Sequence, residues 1–154
     1  MKPTEFDRTM NILTIVLLIG VPIFLFLTWS RLPDKVPIRY DFSGNVTGWG
    51  GKGSLFIWPI VGIVFYIILS FVEHMPPEQW NTDVKITSQN KEWVYKNIRH
   101  SLSTMKLLFA VLMSVITLTI AAGRRLSLWV IGLEILIITV NTIFWLVRAS
   151  RGKR

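Results

Sequence analysis

The sequence contains no cysteine, so disulfide bonds and thiolate metal ligands are excluded. It has two histidines, and the spacing of His74 and His100 matches no known metal motif. It also lacks the sequence motifs of a nucleophile elbow, a phosphate-binding loop and a zinc protease. We therefore expect no catalytic residues, no metal site and no cofactor, and we place both histidines at the cytoplasmic interface.

Charged residues are nearly absent from four long apolar runs. Those runs cover residues 12–29, 54–72, 102–122 and 126–147. A hydrocarbon core about 30 Å thick is crossed by about 20 helical residues, and only helices or closed barrels satisfy their backbone in lipid. The sequence therefore predicts an all-α integral membrane protein, with residues 1–154 forming a single membrane domain. The four transmembrane helices are expected over about residues 11–30, 54–73, 102–122 and 127–147.

The distribution of Lys and Arg predicts the orientation of these spans. Eleven of the 17 basic residues lie in the N-terminus, the tail and the segment between spans two and three with its flank, and six lie in the other two loops. The richer face should be cytoplasmic. We expect both termini and residues 74–101 on the cytoplasmic side of the bacterial cytoplasmic membrane, and the loop 31–53 on the outer side. The net charge of +8 then serves orientation and contact with anionic lipid, and no nucleic-acid partner is expected.

The first loop reads "RLPDKVPIRYDFSGNVTGWGGK" and contains more apolar residues than a simple connection needs. Its apolar and other residues alternate from Val36 to Phe42, which predicts a short strand. "SGN" and "GWGG" predict turns. The fold therefore includes a short extracytoplasmic strand/turn loop between helices 1 and 2, its apolar side covered by the helix ends or by Trp49.

Three residues of this loop are candidates for binding. Arg39 and Asp41 lie on one side of the predicted strand, and Trp49 follows the turn. They could grip a peptide or a lipid headgroup. The alternative, which we favour for Arg39 and Asp41, is a solvated strand face with a weak ion pair.

The stretch "LPDKVPIRYDFSGNVTGWGGKGSLFIWPI" resembles the signature of a bacterial membrane family known as domain of unknown function 1648. That signature places Leu-Pro after a first span, then Val/Ile-Pro-hydrophobic-His, a Gly-containing turn, and an aromatic residue and a Lys before a second span. The resemblance covers roughly residues 10–72. The helix "VYKNIRHSLSTMKLL" is similar to the part that follows in many members.

The resemblance links the chain to immunity proteins against a sporulation-delaying peptide toxin, which begin with the same domain. Two departures limit what it implies. Arg39 stands where the family has His, so no metal or proton role carries over to this position. The second half of the immunity proteins, with its Gly/Asn/Arg motif, is not visible here, and a shared domain does not fix a function.

The fourth span contains an intramembrane acid, Glu134, about 10 Å into the membrane at about 1.5 Å per residue. Such residues often mark ion or proton paths. Asn141 lies on the same helix face, and Ser114 and Thr117 of the third span could face it. The alternative, which we favour, is a neutral Glu134, or one paired with Arg124 or Arg125, that only fixes helix packing.

The second half of the chain predicts one long helix and a tight helical hairpin. The helix should begin near Thr87 or Ser88 and run into the third span. Gly123 can provide a left-handed cap and Ser127 the next N-cap, so the last two spans should be antiparallel neighbours.

We therefore expect a small non-enzymatic membrane protein that acts by contact with a peptide, a lipid or a membrane-protein partner. Toxin immunity and envelope-stress signalling are the forms to test. The alternative is a transporter, or an accessory subunit of one, that uses Glu134 as an intramembrane coupling group. Four spans are few for a monomeric transporter, so that alternative would need a homo-oligomer.

Overall fold

A computed structural model describes residues 3–41, 43–75, 79 and 86–151. It contains four long α-helices, each long and apolar enough to cross a membrane. They are α1 (Glu5–Leu27), α2 (Ile57–His74), α3 (Lys91–Ala121) and α4 (Leu128–Arg151). All four predicted spans are thus present as helices. α1 begins earlier than expected and α4 ends later, because no Gly or Pro stops either helix at the predicted boundary.

The long helix α3 is the centre of the bundle. It packs against each of the other three helices, whereas α1 and α2 meet only sparsely. In its most apolar stretch 44% of the residues are buried, against 6% in α4. The surfaces of α1, α2 and α4 are therefore largely open, as is typical of helices that face lipid.

Local hydrogen bonds explain where α1 and α3 begin. Thr4 and Asp7 form a reciprocal capping box at the start of α1. Before α3, the Thr87 N–H donates to Asn90 Oδ1 at 2.8 Å, and the Asn90 N–H donates to Thr87 Oγ1 at 3.3 Å. The long third helix is confirmed, although Asn90 rather than Thr87 or Ser88 immediately precedes it.

The link between α3 and α4 follows the prediction. Gly123 has φ 67°, and the N–H of Arg124 donates back to the carbonyl of Thr119 at 3.1 Å. This is the left-handed helix ending that glycine favours. Ser127 precedes α4, and its carbonyl accepts from the N–H of Val130.

The first loop folds into an antiparallel hairpin of β1 (Lys35–Tyr40) and β2 (Val46–Gly51). The predicted strand is confirmed as far as Tyr40, whereas Phe42 lies outside the described residues. The "SGN" turn is confirmed, and Gly44 adopts φ 79° in it. The prediction of a second turn at "GWGG" was wrong, because these residues pair with β1 as a strand. The pairing shifts register between Pro37 and Arg39, which leaves Ile38 as a bulge residue and breaks strict alternation.

Helix ends cover the inner side of this hairpin. Val36 is 1% exposed and packs in one core with residues of α1, α3 and the short 3-10 turn before α2. Trp49 does not provide the cover, since 61% of its surface is exposed. The hairpin turn lies beside the α3–α4 link, where a Cβ at Gly44 would meet Leu126 O at 3.7 Å. The hairpin is thus held in place at one end of the bundle.

Candidate functional sites at the two ends of the bundle

A groove lies between the hairpin and the α3–α4 link, and we call it the hairpin-end groove. It consists of two depressions of about 480 Å³ and 700 Å³. Their lining shares Asn45 and Arg125, which makes the two depressions neighbours. The side chains that give the groove its chemistry are Lys35, Trp49, Arg124, Arg125 and Trp129. The groove therefore combines positive charge with exposed indole rings.

Asp41 of the predicted binding set serves the hairpin turn. Its Oδ1 accepts from the N–H of Ser43 at 2.9 Å and from the N–H of Asn45 at 2.8 Å, and its Oδ2 accepts from Asn45 Nδ2 at 3.0 Å. The Asn45 side chain, followed by backbone N–H groups of the turn, lowers the pKa of the Asp41 carboxyl below its ordinary value. Asp41 thus remains an acceptor that fixes the turn at neutral pH.

The other two loop candidates lie on different parts of the hairpin. Trp49 lines the hairpin-end groove. The aliphatic part of Arg39 covers Gly48, where an added Cβ would meet it at 3.2 Å. No ion pair joins Arg39 and Asp41 within the described part of the chain. The structure therefore brings Trp49, but not Arg39 or Asp41, to the groove, and a binding role for all three stays a prediction.

The two polar residues of α4 that are predicted to lie within the membrane differ in their partners. Asn141 Nδ2 donates to Thr104 Oγ1 of α3 at 3.0 Å, and Asn141 Oδ1 accepts from Trp145 Nε1 at 3.1 Å. Glu134 is half-buried on the α3-facing side of α4. Ser114 and Thr117 donate to carbonyls of their own helix. Asn141 thus joins α3 to α4, while a role for Glu134 stays a prediction.

A second candidate site occupies the opposite end, where α1 begins and α4 ends; we call it the terminal end. Asp7 of α1 is fully buried there. Its Oδ1 lies 2.7 Å from His100 Nδ1 and accepts from Ser103 Oγ at 3.2 Å. With Asp7 ionised, His100 Nδ1 carries the donor hydrogen. His100 is thus buried within the protein, and its place at the cytoplasmic interface stays a prediction.

An ion-pair network lies beside this contact. Glu73 Oε2 lies 2.5 Å from Lys106 Nζ, and Glu73 Oε1 lies 3.4 Å from Arg99 Nε. Glu73 is 6% exposed and Lys106 2% exposed. We call Asp7, Glu73, Arg99, His100, Ser103 and Lys106 together the terminal-end cluster. Burying charge on this scale is expensive, and in a membrane protein it marks a candidate functional site.

Trp145 of α4 belongs to the same region. Its ring lies 5.2 Å from His100 and 6.0 Å from Phe6, centroid to centroid. The guanidinium carbon of Arg148 lies 5.5 Å from the Trp145 ring centroid. The ring also closes the α1–α3–α4 contact, which its position in the sequence did not reveal.

The sequence did contain signals for the terminal-end cluster. "TEFD" before the first apolar run has the form of a capping box, which would have singled out Asp7. Lys106 was visible as a lone charge in an apolar run. Glu73 stands at the end of the predicted second span, and nothing in its position indicated that it is buried in the last turn of α2.

A family comparison matches about one third of the chain. Residues 13–63 match the family model described as Domain of unknown function (DUF1648). The chain carries a DUF1648 domain. No curated protein and no solved structure matches the chain.

The DUF1648 match confirms the resemblance drawn from the loop motif. It covers most of α1, the whole hairpin and the first part of α2. Trp49 therefore lies inside the DUF1648 domain. The terminal-end cluster, Glu134 and Asn141 lie outside it, as do Arg124 and Arg125. The hairpin-end groove thus combines one wall from the domain with one from the α3–α4 link.

Proposed function

We propose that the chain is a non-enzymatic protein of the bacterial cytoplasmic membrane that binds an acidic, amphipathic peptide at its extracytoplasmic face. Peptide-toxin immunity is the form of this function to test first, and envelope-stress signalling is the second. The observation that carries the proposal is the hairpin-end groove, where Trp49 of the DUF1648 domain lines the same depression as Arg124 and Arg125.

The groove suits such a peptide in three respects. Its depressions fall within about 300–1,000 Å³, the usual size range of ligand sites. Trp and Arg are the residue types that most often dominate binding energy at interfaces. The hairpin wall is held by the buried Val36 and by the turn bonds of Asp41, so little ordering would be needed on binding.

The proposed orientation can be tested by labelling, since the chain has no cysteine of its own. Thr47 of β2 and Gln89 before α3 are both exposed. In intact cells a membrane-impermeant maleimide should label Thr47→Cys, and it should label Gln89→Cys only after lysis. Labelling of Gln89→Cys alone in intact cells would place the hairpin in the cytosol and overturn the proposal.

The peptide-binding proposal predicts which charges matter. A strain that lacks the gene would be challenged with extracellular peptides of its own species, and survival would be compared across plasmid-borne variants. We expect Trp49→Ala and Arg125→Gln each to lower protection about tenfold, the effect of losing about 1.4 kcal/mol of binding. Arg39→Gln, a matched loss of charge on the same face but outside the groove, should change protection less than twofold.

Two outcomes would contradict this assignment. If Arg39→Gln weakens protection as much as Arg125→Gln, general surface charge rather than the groove is responsible. If Glu134→Gln abolishes protection while Trp49→Ala leaves it intact, the function depends on the intramembrane acid. That second outcome would favour the transporter alternative. The observation that supports this alternative is that Glu134 is a half-buried acid on the α3-facing side of α4.

A further inference from the structure

A cavity of about 420 Å³ opens at the terminal end, between α1, α2 and α3. Its polar lining includes Arg8 and Asn11 of α1, Ser70 and Glu73 of α2, and Lys106 of α3. Of the residues that line the cavity, only Ile15 lies within the DUF1648 match, and the cavity is far along the helices from the hairpin-end groove. We call it the terminal-end cavity.

One face of α1 makes the cavity amphipathic. Arg8, Asn11, Ile12 and Ile15 follow the spacing i, i+3, i+4, i+7, so they lie along one side of the helix. Ile12 is 60% exposed and Ile15 is 40% exposed. The wall therefore changes from charged to apolar along the direction in which α1 enters the bundle. A free ion needs no apolar wall, whereas a phospholipid has a charged headgroup followed by an acyl chain.

The charge of the cavity favours an anion. Three cationic side chains, Arg8, Arg99 and Lys106, line it together with one carboxylate, Glu73. Arg8 also pairs with the exposed Glu5 at 2.9 Å, so the cavity and its rim keep a formal excess of one positive charge. Lys106 contacts Glu73 at 2.5 Å and Ser70 Oγ at 3.5 Å, so an ammonium with three donors can still serve one more acceptor. Basic pockets between spans are a common form of anionic-lipid site.

Asn11 indicates that the ligand should also carry a hydrogen-bond donor. Its Oδ1 is buried in the cavity wall and has no hydrogen-bond partner within the described part of the chain. A buried acceptor of this kind is costly unless something donates to it. A headgroup hydroxyl would satisfy it, whereas a choline headgroup has no donor to offer.

We propose that the terminal-end cavity binds one anionic phospholipid whose headgroup bears a hydroxyl. Its phosphate lies between Arg8 and Lys106, its hydroxyl donates to Asn11 Oδ1, and an acyl chain follows Ile12 and Ile15. This proposal does not depend on the peptide-binding function at the opposite end. Phosphatidylglycerol has the required headgroup.

Three dioleoyl lipids test the two polar contacts separately. Phosphatidylglycerol, phosphatidylmethanol and phosphatidylcholine would be titrated into the detergent-solubilised full chain, and bound lipid counted by native mass spectrometry. Phosphatidylmethanol is anionic but lacks a headgroup hydroxyl. We expect phosphatidylglycerol to bind about fivefold more tightly than phosphatidylmethanol, for one hydrogen bond. Phosphatidylmethanol should in turn bind about fivefold more tightly than phosphatidylcholine, for the charge.

Variants assign these preferences to residues. Asn11→Leu should abolish the difference between phosphatidylglycerol and phosphatidylmethanol and preserve the difference between phosphatidylmethanol and phosphatidylcholine. Arg8→Gln should weaken both anionic lipids about fivefold. Lys96→Gln is the matched control, because Lys96 is an exposed residue of α3 near the same end and does not line the cavity. It should change no affinity by more than about twofold.

Any other pattern overturns the proposal. Equal affinity for the three lipids would show that the cavity is not a specific lipid site. Equal effects of Arg8→Gln and Lys96→Gln on lipid affinity would show a general attraction of anionic lipid to a basic end of the protein. Displacement of phosphatidylglycerol by millimolar inorganic phosphate would assign the cavity to free phosphate instead of lipid. The thermal unfolding midpoint of each variant should match that of the wild type, and Arg8→Gln, at an exposed side chain, remains informative if Asn11→Leu does not fold.

Discussion

Replacing Glu73 by Leu is expected to lower the free energy of unfolding by about 3–5 kcal/mol. The carboxylate is the partner of Lys106, whose side chain is 1% exposed, and it also pairs with Arg99. Its removal leaves a buried ammonium without its counter-charge. Unfolding by sodium dodecyl sulfate in detergent micelles, followed by fluorescence of the seven tryptophans, would measure the loss.

The reciprocal variants make this prediction specific. Lys106→Met should lower the free energy of unfolding by less, about 1–2 kcal/mol, because Glu73 keeps Arg99 as a partner. The double variant with Glu73→Leu and Lys106→Met should be nearly as stable as the wild type, since an apolar pair avoids the desolvation cost of both charges. Glu92→Leu, at an exposed acid of the first turn of α3, should stay within about 0.5 kcal/mol of the wild type. Equal losses for Glu73→Leu and Glu92→Leu would contradict a buried ion pair.

Replacing Asp7 by Ala is expected to lower the free energy of unfolding by about 2–4 kcal/mol. The carboxylate accepts from the Thr4 N–H at 2.9 Å and from Thr4 Oγ1 at 2.8 Å, so the substitution removes the Asp7 half of the capping box at the start of α1. It also leaves His100 and Ser103 without their buried acceptor. The same unfolding measurement applies, and hydrogen exchange of the first-turn amides of α1 should rise with it.

Glu5 offers the matched control for Asp7. It lies in the same helical turn, but its side chain is 88% exposed and pairs with Arg8 at the surface. Glu5→Ala should therefore change the free energy of unfolding by less than about 0.5 kcal/mol. His100→Ala should lower the free energy of unfolding by an amount between those for Glu5→Ala and Asp7→Ala, because Asp7 would keep Thr4 and Ser103 as donors. If Asp7→Ala and Glu5→Ala behave alike, the buried contact between α1 and α3 does not stabilise the fold.

The two ends of the bundle differ in how far the sequence revealed them. At the hairpin end the strand, the turn at Gly44 and the position of Trp49 in an ordered loop followed from local residue order. The second strand did not, because glycines suit both a turn and a strand edge that packs closely: a Cβ at Gly50 would lie 2.9 Å from Ile38 Cγ2. The groove itself needed the α3–α4 link, which is distant in sequence.

The sequence by itself determined the four helices, their order, the long α3 and the tight link after Gly123, because apolar run length and turn chemistry act within a few residues. Only the tertiary structure decided that Asp7 meets His100, 93 residues away, and that Glu73 meets Lys106, 33 residues away. Those contacts depend on how each helix is rotated about its own axis and shifted along that axis relative to α3. Helix packing sets both quantities, and an apolar surface suited to lipid on almost every side leaves little pattern in the sequence to indicate them.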